Sequence, residues 1–288
     1  LPARPGSQLG EQSRAAHESP SPLDLAVHPA STSAVPRISI VLATLNERDA
    51  LPPLLRSIRD LHLPPYELVV VDDGSTDGTR EYVREASAAD PSIRLIAHEG
   101  RRTLGPAQSE GLRGTRGEFI VVMDSDMQHP PEVVPRLIAE LEAGATLVVA
   151  SRYCNGGSAG RRPRLRSVIS RTAEVIAKLL LPEARVVRDP LSGFFAVRQA
   201  AVVRGELPAK GYKLLLSLLV TLRGSRIVEV PYLFQDRRVG NSKITSSVRF
   251  VPIFLSEILI ARRYHARLAR AARRDAGWTD LSAGSDGL

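Results

Sequence analysis

Asp124 and Asp126 are two carboxylates one residue apart, placed where an apolar run, Phe119 to Met123, stops. Alternate residues of an extended segment point the same way, so both can face one bound cation. Hard oxygen ligands suit Mg²⁺ or Mn²⁺, ions that keep several waters and bridge to substrate phosphates. Gln128 and His129 follow closely enough to assist, and Pro130 and Pro131 open a helical pattern. An acidic turn capping that helix is the competing reading of an isolated Asp-x-Asp. The context favours the cation, because open α/β sheets bind ligands beyond the carboxyl ends of their strands.

Further polar clusters recur at strand ends. Ile38 begins a short buried strand, ISIVLA, which runs into the loop Thr44, Leu45, Asn46 and Glu47. A second strand, Leu68 to Val71, stops at Asp72, Asp73, Gly74 and Ser75. Asp73 or a neighbour can accept hydrogen bonds from a base or ribose, while Asp77 to Thr79 reads equally as a helix cap. Arg101 and Arg102, at a helix entrance, suit a phosphate or a solvated loop. The glycine-rich segment Asn155 to Arg166 holds Arg161, Arg162, Arg164 and Arg166, and is either a loop over a bound anion or a basic surface loop. In Phe234 to Ile244, FQDRRVGNSKI, the cations Arg237, Arg238 and Lys243 flank a glycine turn and can clamp a diphosphate.

These clusters need a scaffold, and the apolar pattern supplies one. Strands are expected at Ile38, Leu68 to Val71, Ile93 to Ala97, Phe119 to Met123 and Thr146 to Ala150, with later ones through Val197 and over Ile227 to Tyr232. Helices are expected through Leu51 to Leu61, around Ala107 to Gly114, over Val133 to Leu141, over Val168 to Leu181 and over Lys210 to Leu222. The alternation predicts an α/β fold: a mostly parallel central sheet flanked by helices. Residues 1–36, rich in Pro, Ser, Ala and Gly, read as a disordered leader, 37–246 as the folded domain that carries these clusters, and 275–288 as a flexible tail. Residues 247–274 read as amphipathic and then basic C-terminal helices, suited to a membrane surface or to packing back on the domain or on another subunit.

The chain has 288 residues, 43% hydrophobic and 24% charged, enough to bury a substantial core, and its formal net charge of +8 implies anionic partners. Aromatics are only 5%, which argues against stacking on single-stranded nucleic acid, and no nucleic-acid partner is expected. Cys154 is the single cysteine, so an internal disulfide and a cysteine metal cluster are both excluded. No run reaches the roughly 18 apolar residues of a membrane span, and no signal-peptide core opens the sequence. The expectation is a cytoplasmic protein, peripheral on the inner face of a membrane.

TLNE (44–47), VVDDGSTDGT (70–79), LG-x-A (104–107), MDSDMQHPPE (123–132), SRY (151–153), DPLSGFF (189–195), KGYK (210–213) and DRRVGNSK (236–243) occur in this order. Together they resemble family 2 glycosyltransferases, and more narrowly the dolichyl-phosphate or polyprenyl-phosphate mannose synthases. The resemblance implies a GT-A (Rossmann-like) fold, a nucleotide-sugar donor (GDP-mannose most often), Mg²⁺ or Mn²⁺ and inverting transfer to a polyprenyl monophosphate. A separate membrane-spanning anchor protein is a possible partner. It would place Thr44, Asn46, Glu47 and Asp73 around the nucleotide, and Asp124, Asp126 and Gln128 on the metal. Arg152, with Arg166 or Arg171, would grip the acceptor phosphate, and Arg237, Ser242 and Lys243 would contact phosphates during transfer. On this reading Asp126, Arg237 and Lys243 are the catalytic set, with Asp124 and Ser242 also on the donor. Relatives often carry Pro-Thr-Tyr-Asn-Glu where Ala43 to Glu47 stand here, and a carboxylate where Ser217 stands. The alternatives are a UDP-glucose-dependent polyprenyl-phosphate glucosyltransferase and a non-catalytic, membrane-associated nucleotide-sugar-binding protein.

Overall fold

The structure, a computed structural model, describes residues 35–100, 104–160, 164–202, 213–235 and 254–264, together with 266, 267 and 270. The elements follow as β1 (Ile38–Thr44), α1 (Leu51–Arg59), β2 (Tyr66–Asp72), α2 (Thr79–Ala89), β3 (Ile93–Ala97), α3 (Leu104–Arg113) and β4 (Phe119–Asp124). A 3₁₀ turn at Pro131–Val133 then leads into α4 (Val134–Glu142), β5 (Leu147–Ser151), α5 (Arg164–Leu180), β6 (Phe195–Arg198), α6 (Leu214–Thr221) and β7 (Ile227–Pro231). A last helix, α7, spans 254–264.

The strands form a seven-stranded sheet in the order β3-β2-β1-β4-β6-β5-β7. Only β6 runs against its neighbours β4 and β5; the other pairings are parallel. Strands buried on both faces explain the near-continuous apolar runs that mark them in the sequence. Ile38, Ile40 and Leu42 of β1 pack with Leu54, Ile58, Val83 and Leu137 from α1, α2 and α4. On the other face, Val41 belongs to a second core cluster with Ala107 and Leu112 of α3 and Leu215 and Leu218 of α6. Gly111 lets α3 settle there, since a Cβ at that position would stand 2.3 Å from Val41 Cγ1.

From β1 the chain moves outward to β2 and β3, then jumps to β4 on the other side of β1. This reversal opens a crevice at the carboxyl ends of β1 and β4, where such sheets bind ligands. The register is level there: Thr44 pairs with Asp72, and Ala43 with Asp124. At the opposite rim, Glu67 accepts hydrogen bonds from Ser39 Oγ, Arg94 and the Arg116 N–H, a network that satisfies its own polar groups.

Candidate active site

β1, β2, β4, β5 and β7 all end at the crevice rim, and β6, running the other way, begins there. One edge therefore gathers Thr44 to Glu47, Asp72 to Ser75, Asp124 to His129, Arg152, the segment entering β6 and the residues after β7. Asp124 is the last residue of β4, and Asp126 lies two residues on, 6% exposed. Their loop is tightly built. Ser125 Oγ donates to Ala43 O at 3.0 Å, the Gln128 N–H donates to Asp126 Oδ1 at 3.1 Å, and Met127 adopts a left-handed φ of 63°. Gln128 is tied to the chain after β7: Gln235 N–H donates to Gln128 O at 3.1 Å, and Gln128 Nε2 donates to Gln235 O at 3.3 Å.

His129 orients this loop, and its Nε2 lies 3.7 Å from Asp124 Oδ2. Its Nδ1 accepts the Asp124 N–H at 2.9 Å, which puts the proton of the neutral ring on Nε2. The ring stacks on Phe194 at 5.1 Å between centroids and meets the edges of Tyr232 and Phe234. Burial in this aromatic box pushes its pKa below the ordinary value, against the pull of Asp124 and Asp126.

Gly193 lies against the Asp124 carboxylate. A Cβ there would stand 3.3 Å from Oδ2 and 3.4 Å from Oδ1, so the glycine keeps the space beside both oxygens open. Among the described residues no cluster of three or more His, Cys, Asp and Glu side chains gathers to hold a metal. Two hard carboxylates on one loop, with open space beside Asp124, fit a Mg²⁺ or Mn²⁺ ion that would complete its shell with water and substrate phosphate; they do not form an all-protein cage.

The nucleotide-side candidates are adjacent. Asp73 N–H donates to Thr44 O at 3.0 Å, joining the ends of β1 and β2. Asn46, at a positive φ of 52°, fastens the two loops: its N–H donates to Ser75 Oγ and its Oδ1 accepts the Thr76 N–H, both at 2.8 Å. Glu47 N–H donates to Thr79 Oγ1 at 2.9 Å. Thr44, Glu47 and Asp73 are all buried. Asp77, one residue before the Gly78 N-cap of α2, accepts the Thr79 N–H on Oδ1 and the Arg48 N–H on Oδ2.

Arg152, just past β5, is held by Asp189. Its Nε donates to Oδ2 and its NH2 to Oδ1, each at 2.7 Å, and its N–H also donates to Oδ2 at 3.1 Å. Burial alone would lower its pKa, but the hydrogen bonds and charge of Asp189 carry it above the ordinary value. The guanidinium carbon lies 5.2 Å from the Tyr153 ring and 5.9 Å from Phe234. The exposed Arg171 of α5 lies over the same Tyr153 ring at 4.3 Å, so two of the expected phosphate cations share one aromatic support. Arg166 falls within α5, but its side chain lies outside the described residues, as do Arg101, Arg102, Arg161, Arg162, Arg237, Arg238, Ser242 and Lys243. Asp189, Gly193 and Tyr153 were not singled out as site residues from the sequence. The motifs DPLSGFF and SRY contain them, but only the antiparallel β6 reveals why they reach this rim.

The glycosyl transferase family 2 model matches residues 39–204, which carry β1 through β6. Dolichol-phosphate mannosyltransferase of Pyrococcus furiosus is 38% identical over 215 residues, covering 74% of this chain but 61% of that relative, less than two thirds of its length. Polyprenol monophosphomannose synthase of Mycolicibacterium smegmatis is 33% identical over 228 residues, covering 76% of this chain and 85% of that protein. Among solved structures, glucosyl-3-phosphoglycerate synthase from Mycobacterium tuberculosis, in complex with Mn²⁺, UDP-glucose and phosphoglyceric acid, superposes with a TM-score of 0.58 at 26% identity, over 80% of this chain and 81% of that one. A GT-A sheet with its polar rim at the β1/β4 switch point, matched by a family model across more than half its length, belongs to glycosyltransferase family 2.

Proposed function

We propose that this glycosyltransferase moves a hexose, mannose from GDP-mannose, onto a polyprenyl monophosphate with inversion at the sugar C1. The observation that carries the reading is that a carboxylate pair fit for a cation and a buried arginine fit for a phosphate occupy one rim, joined through the His129, Phe234 and Arg152 contacts. Relatives at 33–38% identity named for mannose transfer to dolichol- or polyprenol-linked phosphate support the sugar and the lipid.

A phosphate monoester has its second pKa near about 6, so at neutral pH the acceptor is already the nucleophilic dianion and requires no deprotonating base. A phosphate oxygen attacks C1 in line; the new C1–O bond forms as the bond from C1 to the diphosphate breaks, and GDP departs. A divalent cation bound at Asp124 and Asp126 would supply charge neutralisation for that leaving group. Thr44, Asn46, Glu47 and Asp73 shape the nucleotide side, with Gln128 beside the metal carboxylates. Arg152, with Arg171 or Arg166, draws the acceptor phosphate to the sugar; Arg237, Ser242 and Lys243, which lie outside the described residues, are assigned to the phosphates by their place in the sequence motif alone.

The acceptor resides in a lipid bilayer, and the helical side of the protein suits that surface. Val168, Val175, Leu179 and Leu180 of α5, and Leu255 and Leu259 of α7, are large exposed apolar residues, with Arg171, Arg262 and Arg263 exposed on the same helices. Apolar side chains in the acyl boundary with arginines on anionic headgroups make a peripheral docking face. Among the described residues no helix is long and apolar enough to cross a membrane. On this reading the protein sits on the cytoplasmic leaflet, alone or beside a membrane-spanning partner.

The solved relative bound to UDP-glucose gives the second reading, glucose transfer from UDP-glucose. Competition separates the two: GDP displacing a labelled donor at lower concentration than UDP supports the mannose reading, and the reverse order supports glucose.

A further inference from the structure

Lys213 meets three parts of the structure that the site depends on, yet no role above requires it. Its Nζ donates to Leu191 O at 2.8 Å, and its backbone N–H donates to Glu257 Oε1 on α7 at 2.7 Å. Leu191 stands midway in the segment entering β6. Two residues before it, Asp189 holds Arg152; two residues after it, Gly193 lies against the Asp124 carboxylate. One ammonium therefore pins the centre of a short segment whose ends serve the cationic and the anionic halves of the rim.

The surroundings explain why this position carries a lysine. The flexible four-carbon stem carries its ammonium to a backbone carbonyl that loses its donor if the ammonium is removed. Burial, together with Arg152, pushes its pKa below the ordinary lysine value, against the pull of Asp124, Glu257 and Asp189. The ammonium thus lies in the electrostatic field of both halves. Glu257 completes the anchor. Lys213 is the N-cap of α6, the eight-residue apolar helix LLLSLLVT, and makes no side-chain cap of its own. The buried carboxylate of Glu257 accepts the N-cap N–H, as the glutamate of a capping box would, but from another helix. Phe254, Ile258 and Ala261 of α7 pack with Leu216 and Val220 of α6 and hold the carboxylate in place.

We propose that Lys213, anchored by Glu257, is a positioning residue that sets the Asp189-to-Phe194 segment, so that Arg152 and the Asp124 carboxylate are oriented together. The proposal rests on the two-phosphate reading above and adds a coupling between its halves.

The test compares Lys213→Met, Lys213→Arg, Glu257→Leu and Glu257→Gln by two readouts: Mn²⁺ binding in the presence of GDP, followed by electron paramagnetic resonance, and KM for polyprenyl phosphate. Thermal unfolding checks the fold. Lys213→Met weakens Mn²⁺ binding and raises the acceptor KM together, each by about tenfold, the lower end for residues that support metal ligands. Lys213→Arg restores most of both, and Glu257→Gln, which keeps an acceptor oxygen, stays near wild type. Glu257→Leu behaves like Lys213→Met and decides the matter if Lys213→Met fails to fold. A folded Lys213→Met or Glu257→Leu protein with both quantities within about twofold of wild type overturns the proposal, as does a change in only one of them. If the wild-type protein transfers no sugar, the functional reading fails, while the Mn²⁺ arm still reports whether Lys213 positions Asp124.

Discussion

Arg152 and Asp189 form a buried two-point ion pair, the guanidinium donating through Nε and NH2 to the two carboxylate oxygens at 2.7 Å each. The pair joins the end of β5 to the start of β6 and fixes the plane of the guanidinium. Asp189 is itself placed by its N–H, which donates to Glu229 of β7 at 3.1 Å. On the proposed reading, a phosphate approaching Arg152 would meet a cation whose geometry is already set.

Replacing Asp189 with Asn leaves a buried cation without its counter-charge. Loss of one partner of such a pair costs about 3–5 kcal/mol, so the Asp189→Asn protein should unfold at markedly lower temperature. Arg152→Lys keeps the charge but loses the fork geometry, and should raise the acceptor KM about tenfold with a smaller loss of stability. Thermal unfolding and initial rates against polyprenyl phosphate measure both effects.

Gly193→Ala places a methyl group 3.3 Å from Asp124 Oδ2 and from His129 Cε1. Stability should fall by no more than about 1–3 kcal/mol. The Mn²⁺ concentration needed for half-maximal rate should rise about tenfold. A metal titration that matches wild type would show that the space beside Asp124 is not used.

Glu174 of α5 is buried near Tyr153, and its pKa lies above the ordinary 4.5, chiefly through burial and secondly through Asp189. A carboxyl whose folded pKa is raised binds more protons in the folded than in the unfolded state. Its contribution to stability is complete below the unfolded pKa and is lost as pH rises through the folded value. Glu174→Gln should therefore lose less stability than wild type on going from acid to neutral pH. Denaturant unfolding across that range measures it, and parallel curves would refute the assignment.

Leu179→Glu with Leu259→Glu changes two exposed residues, 67% and 53% accessible, one on each outer helix. Stability should shift by no more than about 0.5 kcal/mol per site. Binding to anionic lipid vesicles in a sedimentation assay should drop severalfold, while transfer to a short, water-soluble polyprenyl phosphate persists. Unchanged sedimentation would remove α5 and α7 from the docking face.

How much of this was legible beforehand depends on the kind of signal. Runs such as Phe119 to Met123 announce strands because a parallel sheet buries both faces, and the abrupt change to Asp124 marks the rim. The direction of β6 leaves no comparable trace, since an apolar run reads alike in either direction; the parts played by Asp189 and Gly193 were hidden with it. Helix α2 escaped notice because its buried face is made of Thr79, Tyr82, Val83 and Ala86, a weakly apolar set. Residues 254–264 carry apolar positions on two sides. Phe254, Ile258 and Ala261 pack inward while Leu255 and Leu259 face out, so the packing reading describes the inner side and the membrane proposal concerns only the outer one. That His129 braces the β4 loop through its Nδ1 could not be read from its position in the sequence.

The central claim is tested most directly by transfer of labelled mannose from GDP-mannose to polyprenyl phosphate in detergent with Mn²⁺, comparing wild type with Asp126→Ala, with and without chelator. The account predicts labelled lipid from the wild-type protein, abolished by chelator and by the substitution, with Asp126→Ala retaining its thermal transition. Labelled lipid that persists in chelator or in the Asp126→Ala protein, or none from the wild-type protein, would contradict it.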